Sequence, residues 1–286
     1  MNIIETHIVE PLESPQRLSD YVGGQFTTIP SRKGMKKAIK KGLVHVDGEP
    51  GETGRFLQGG ERIDLLEDAA QKRKPVFELA FPVLIEDDHL AVIHKPAGLL
   101  VSGNTFRTVE NALPFNLKAS PASAALPRPL PVHRLDFPTT GVLLVAKTRS
   151  ALTQLKQQFE ARTVQKVYLA ITIGQMTRQG RIDEPIDGKS ASSKYEVLES
   201  VSSDRFGQLN LVRLHPTTGR RHQLRKHLAH IGHPILGDVD YGLEGQILKG
   251  KGLFLHAHQL EFIHPESNEK ISTKVEPGKK YLRFFR

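Results

Sequence analysis

The residues best placed to do chemistry lie in His133-Arg134-Leu135-Asp136-Phe137-Pro138-Thr139-Thr140-Gly141. Extended from Val132, the chain would put Arg134 and Asp136 on one side. Pro138 has no N–H and restricts Phe137, so a turn follows. Gly141 then leads into Val142-Leu143-Leu144-Val145-Ala146, an apolar run that reads as a buried strand. An aspartate is thereby presented on a tight loop braced by a rigid strand, a common setting for a catalytic carboxylate and equally for one that caps a turn. A second concentration of reactive types spans 205–237, which has no Asp or Glu but six Arg or Lys and five His. Its centre is Thr218-Gly219-Arg220-Arg221-His222-Gln223-Leu224-Arg225-Lys226-His227-Leu228.

A metal site is the obvious rival use of His227, His230, His233, His256 and His258. No carboxylate accompanies the first three, Gly232 and Pro234 break the helix there, and a spacing of three drifts off one helical face. The expectation is therefore no metal, with the histidines at the surface or on phosphates.

Several elements must hold these groups. Ser150 is expected to cap a helix whose Leu152, Leu155 and Phe159 face the core. Gln165 to Ile173 alternates as a strand, with Val167, Leu169, Ile171 and Ile173 on one face and Tyr168, Ala170 and Thr172 on the other. The basic segment ends in a helix with Leu224, Leu228 and Ile231 inward. Val83-Leu84-Ile85, a turn at Asp87-Asp88 and Leu90-Ala91-Val92-Ile93 open this region, followed by a turn at Lys95-Pro96-Ala97-Gly98. Residues 114–131 hold five prolines and read as a loop; Leu253 to Ala257 and Leu260 to Phe262 read as late strands.

The organisation expected is a small domain over 1–70, a linker over 71–82 and a larger domain over 83–286. In the first, Arg17 to Val22 begins a helix, and Ser31 caps a second running from Arg32 to Lys41. That helix carries Arg32, Lys33, Lys36, Lys37, Lys40 and Lys41 without an acid, over an apolar stripe of Met35, Ala38 and Ile39. Val44-His45-Val46 and the Asp47-Gly48 turn follow, then Gly59-Gly60-Glu61-Arg62-Ile63-Asp64-Leu65.

The 286 residues carry a net charge of +9 and a pI near 9.6, which suits a polyanionic partner. The absence of cysteine excludes disulfides and thiolate sites and fits a reducing cytoplasm. No run approaches a membrane span, and the acidic start, MNIIETHIVEPLE, is no signal peptide.

These motifs together resemble the RluA-type pseudouridine synthases. Their usual HRLD-x-x-T-S-G appears here with Thr140 for serine. Lys95 to Gly98 is similar to their N-K-P-x-G turn, with His94 in the asparagine position. Lys166-Val167-Tyr168-Leu169-Ala170 resembles their K-x-Y-x-A. Thr218 to Leu228 resembles T-G-R-T-H-Q-[IL]-R-x-H-[LM], with Arg221 for a small hydroxyl residue, and Gly237-Asp238-Val239-Asp240-Tyr241-Gly242 resembles G-D-x-x-Y-G. Residues 1–70 are similar to the small RNA-binding domain shared by a ribosomal small-subunit protein and many RNA-modifying enzymes.

The resemblance implies an α+β fold: a mixed, largely antiparallel sheet with flanking helices and a central cleft. It implies isomerisation of uridine to pseudouridine in structured RNA, ribosomal rather than transfer RNA, with no cofactor, nucleotide or metal. Asp136 would be the catalytic carboxylate, Tyr168 would stack on the base, and Arg225 would pair with Asp136. A guanidinium there offsets the cost of keeping a buried carboxylate charged. Arg134, Lys166, Arg220, His222 and Gln223, with Arg32, Lys33, Lys36, Lys37 and Lys40, would contact RNA. A monomer is the default expectation, its N-terminal domain mobile on the linker and guiding substrate choice. Two rivals remain at this point: a non-catalytic RNA-binding or ribosome-assembly protein on the same fold, and a metal-dependent hydrolase using the histidines.

Overall fold

A computed structural model describes residues 2–26, 28–29, 31–67, 75–248 and 250–285. Contacts divide the chain into two compact units, 1–74 and 75–286. No helix among the described residues is long and apolar enough to cross a membrane.

The first unit has a four-stranded antiparallel sheet in the order Ile3–Ile8, Arg62–Leu66, Val44–Val46, Glu49–Pro50. Asp47 and Gly48 both have positive φ, 55° and 86°, as a two-residue hairpin turn requires. Against the sheet lie helices Leu18–Tyr21 and Arg32–Lys40. Ser31 caps the second, its hydroxyl accepting from the Gly34 N–H at 3.1 Å. Met35, Ala38 and Ile39 are buried against Val44, Val46, Ile63 and Leu65, so the apolar stripe faces inward and the lysines face out. The helix is not free of counter-charge, however. Asp20, from the preceding helix, bonds Arg32 and lies 4.0 Å from Lys36. Among the described residues, Lys33, Lys37 and Lys40 have no ion-pair partner.

The second unit is built on a ten-stranded sheet. Its strands are β1 (Val83–Glu86), β2 (Leu90–Lys95), β3 (Ala125–Pro131), β4 (Thr140–Thr148), β5 (Gln165–Ile173), β6 (Gln179–Ile182), β7 (Ser193–Ser203), β8 (Gly207–Pro216), β9 (Leu255–Ile263) and β10 (Lys270–Lys274). The order across the sheet is β6-β7-β8-β5-β9-β4-β2-β1, with β3 added to β4 and β10 to β9. Every strand pair is antiparallel except β4 with β9. Helices α1 (Val109–Asn116), α2 (Arg149–Glu160), α3 (Gln223–His230) and α4 (Lys279–Leu282) complete the unit.

The apolar run of β4 is continuous because both its faces are covered. Val142, Leu144 and Ala146 pack on Ala151 and Leu155 of α2. Leu143 and Val145 pack on Val109, Ala112 and Leu113 of α1. Where β4 begins, Gly141 (φ 120°) lies so close to β9 that an added Cβ would sit 2.1 Å from the Ala257 oxygen. Only glycine permits that approach.

Three expectations are corrected. Residues 114–131 are not a loop: they contain the end of α1 and the whole of β3. The cap of α2 is Thr148, whose hydroxyl accepts from the Ala151 N–H at 3.3 Å, not Ser150. Residues 132–136 do not continue as a strand; β3 ends at Pro131. Of the expected linker, 71–74 lie outside the described residues, whereas Phe81 is buried in the second unit beside Ala91, Ile93 and Val109.

Candidate active site

The loop carrying Asp136 is pinned from several sides. His133 Nε2 accepts from the Leu144 N–H at 3.1 Å, and its ring stacks on Phe159 of α2 with centroids 4.7 Å apart. Burial, reinforced by the nearby Lys166 charge, pushes His133 down to about 4, which keeps it neutral and able to accept that bond. Leu135 is buried in the core. Lys95, at the end of β2, is fully buried, and its ammonium donates to the carbonyls of Pro96 at 2.9 Å, Phe137 at 3.3 Å and Thr139 at 2.9 Å. The Gly98 N–H adds a second bond to the Phe137 carbonyl, at 2.9 Å. Burial pushes Lys95 down to about 8, with Asp136 acting in the opposite direction. Thr140 is fixed by His256: its hydroxyl and His256 Nδ1 are 2.8 Å apart, and His256 Nε2 donates to the Val275 carbonyl at 2.9 Å.

Asp136 is thereby held at a cavity of about 240 Å³, roomy enough for a nucleobase. The lining includes Arg134, Tyr168, Lys166, Phe159, Pro216, Thr218, Gly219, Gln223 and Leu255. Tyr168 comes from β5, opposite one extra residue, His258, that β9 carries between the partners of Val167 and Tyr168. A bulge of this kind re-aims a strand locally. Burial, then the charge of Asp136, holds the Tyr168 phenol well above its ordinary value, so it keeps its proton.

Arg225 and His222 face Asp136 from α3. Arg225 Nη1 is 3.9 Å from Asp136 Oδ2. The guanidinium is gripped chiefly elsewhere: Nε and Nη2 donate to the two Asp238 oxygens, each at 2.7 Å, and Nη2 also reaches Asp240 at 2.6 Å. The Tyr241 ring lies 4.9 Å beneath it. Burial opposes the Arg225 charge, but Asp238 and Asp240 more than offset it and raise its pKa. His222 caps α3 in the left-handed region (φ 55°), with Nδ1 2.9 Å from the Tyr241 hydroxyl and Nε2 3.8 Å from Asp136 Oδ1. Burial lowers the His222 pKa; Asp136 opposes this, and Arg225 and Arg221 reinforce it.

The structure thus brings Asp136, Tyr168 and Arg225 together and adds His222, expected at the RNA, beside the carboxylate. Arg134 is exposed, and among the described residues its guanidinium has no partner. Lys166 lines the cavity, its ammonium 3.4 Å from the Thr218 carbonyl. Arg220 is half-buried and donates to the Ser190 carbonyl at 3.1 Å. Gln223 needs correcting as an RNA contact. Its Oε1 accepts from the Thr218 hydroxyl at 2.6 Å and the Arg220 N–H at 3.0 Å, and its Nε2 donates to the Ser192 carbonyl and the Ser193 hydroxyl, both at 2.9 Å. All four bonding positions of the amide are spent within the protein.

His227 is also committed internally, to the Ser193 hydroxyl at 3.0 Å and the Glu184 carbonyl at 2.9 Å. Among the described residues no cluster of three or more His, Asp or Glu is placed to hold a metal ion. Sequence reasoning missed Lys95, Asp238, Tyr241 and His256 as parts of this site. Lys95 had a readable signal, a lysine closing the apolar run of β2. Asp238 and Tyr241 lay inside a recognised motif to which no role had been attached.

A family model described as RNA pseudouridylate synthase matches residues 89–230. A ribosomal large subunit pseudouridine synthase D from Xanthomonas campestris is 38% identical over 295 residues, covering 92% of this chain and 86% of that one. A protein of the same name from Nitrosomonas europaea is 36% identical over 265 residues, covering 84% and 75%. Among solved structures, human RNA pseudouridylate synthase domain containing 4 aligns at a TM-score of 0.56 with 28% identity, covering 70% of this chain and 90% of that one. Human RNA pseudouridylate synthase domain containing 1 aligns at 0.58 with 25% identity, covering 71% and 86%.

Proposed function

Because this chain belongs to the RluA-type RNA pseudouridine synthases, enzymes that isomerise uridine in RNA, we propose that Asp136 is its catalytic carboxylate and ribosomal RNA its target. The observation that carries the first part is the meeting of Asp136 and Tyr168 at one nucleobase-sized cavity, with the Arg225 guanidinium 3.9 Å from the Asp136 carboxylate. The target is supported by the relatives, named for the large ribosomal subunit, and by the lysine-bearing helix face of the first unit.

The reaction breaks the bond between ribose carbon 1′ and uracil nitrogen 1, turns the base, and joins carbon 5 to carbon 1′. The hydrogen at carbon 5 then leaves to solvent. A base stacked in a helix cannot be turned, so the uridine enters flipped out or already unpaired. Asp136 attacks the ribose, attacks the ring, or takes a ribose proton to start an elimination; each route needs a carboxylate at the glycosidic bond. Arg225 supplies the positive charge that orients it. Tyr168 offers a ring face to the base and a retained phenolic proton. Burial lowers the His222 pKa, which disfavours a second positive charge beside Asp136. Arg134, exposed at the cavity mouth, meets the strand from which the nucleotide has left.

The test compares wild type and Asp136→Asn for conversion and for RNA binding. Loss of conversion with binding intact supports the assignment. Retained conversion contradicts it, and binding without conversion by the wild type on every RNA tried would turn the reading toward an assembly protein.

A further inference from the structure

We propose that a second, cationic cleft beside the Asp136 cavity, walled by Arg162, Lys166, Lys194 and His215, holds backbone phosphates of the RNA strand next to the reacting nucleotide. This rests on the function proposed above.

The cleft has a volume of about 420 Å³ and shares two residues, Lys166 and Pro216, with the Asp136 cavity, so a chain leaving one passes directly into the other. Its basic groups come from separate elements. Arg162 follows α2 in the left-handed region (φ 60°), Lys166 lies in β5, and Lys194 of β7 stands directly opposite His215 of β8. Among the described residues no Asp or Glu lines it. The nearby Glu196 is taken up by Arg213 at 2.8 Å, and among the described residues Arg162 and Lys194 have no ion-pair partner.

Basic residues placed opposite one another without a counter-charge weaken a sheet. Burial and then Arg162 lower Lys166; burial, then Arg213, with Lys194 further on, lower His215 against the pull of Glu196. A position near the negative end of α2 accounts for Arg162 alone. An anion in the cleft accounts for Arg162, Lys166 and Lys194 together, with His215 at their side as a hydrogen-bonding ring. Thr217 and Gln165 add polar groups to the lining. The ligand must carry repeated negative charge and continue from a nucleobase cavity, which describes a single RNA strand.

The experiment uses the full-length protein and large-subunit ribosomal RNA transcribed in vitro. Binding is measured across a potassium chloride series for wild type, Arg162→Gln/Lys194→Gln and a control of equal charge, Lys118→Gln/Lys156→Gln, both exposed and outside the cleft. Loss of two phosphate contacts lowers the slope of log affinity against log salt by about 1.4 and weakens binding about tenfold at low salt. The control keeps the wild-type slope, and thermal unfolding of both variants matches wild type. A cleft variant that binds like the control overturns the cleft while leaving the proposed function standing. A wild type that releases no hydrogen from carbon 5 of uridine in this RNA overturns both.

Discussion

Arg225 is clamped by a carboxylate it does not serve: Asp238, whose side chain is wholly buried, takes two of its nitrogens at 2.7 Å each, leaving Nη1 turned toward Asp136 at 3.9 Å. The guanidinium is therefore a positioned charge. Its direction is set by the segment after α3 and not by the loop that carries Asp136.

Asp238→Asn should accordingly impair chemistry more than binding. The charge-assisted pair is lost, Arg225 shifts, and the single-turnover rate falls on the order of 100-fold with the RNA dissociation constant unchanged. Arg225→Met is harsher, because it strands a buried carboxylate, and should cost about 3–5 kcal/mol of stability by urea unfolding. Equal loss of rate and RNA affinity in Asp238→Asn would count against the positioning role.

Lys95→Met removes the shared donor to the Pro96, Phe137 and Thr139 carbonyls. Leaving buried acceptors short should cost about 1–3 kcal/mol, and the freed loop should lower the conversion rate at saturating RNA. A variant with wild-type rate and stability would show that the loop holds itself.

His256 is fully buried and pushed down to about 4 by burial, aided by His94, His258 and Lys280, against the bond to the Val275 carbonyl. Its folded value lies below the ordinary 6.5, so the unfolded chain takes the proton first as pH falls. The contribution is full above about pH 6.5 and is lost toward pH 4, amounting to about 3 kcal/mol. Urea unfolding at about pH 7 and pH 4.5 should show a drop smaller by about 2–3 kcal/mol in His256→Gln than in wild type. An unaltered drop would place the acid sensitivity elsewhere, His133 being the next group to replace.

A chain of residues 75–286 should fold alone with a single cooperative transition, since its clusters close without the first unit. Its affinity for long ribosomal RNA should fall by about 10- to 100-fold through loss of a linked binding module. An insoluble product would contradict the two-unit account.

The loop that carries Asp136 was legible because its signals are local: a proline turn, a glycine, an apolar run and HRLD lie in one stretch. The helix from Arg32 was legible for the same reason, its cap and stripe being readable by periodicity. The prolines of 114–131 misled. Pro127, Pro129 and Pro131 alternate, so their missing N–H groups all fall on one side of β3, and among the described residues β3 pairs with β4 alone. An edge strand can spare that side. The cap of α2 was misplaced because β4 runs straight into the helix, and the last extended residue, Thr148, takes the role ahead of Ser150. Lys95 beneath the loop and Asp238 behind Arg225 were not legible as partners, since both pairings join segments that only the folded sheet brings together.

The central claim is that Asp136 drives uridine isomerisation, and release of tritium from carbon 5 of uridine tests it most directly, because product and substrate have equal mass. Ribosomal RNA labelled at that position, from cells lacking this protein, is incubated with wild type and with Asp136→Ala. Release by the wild type and none by the variant is the expected result. Equal release by both would remove Asp136 from the chemistry, and no release by either, on RNA that both bind, would contradict the account as a whole.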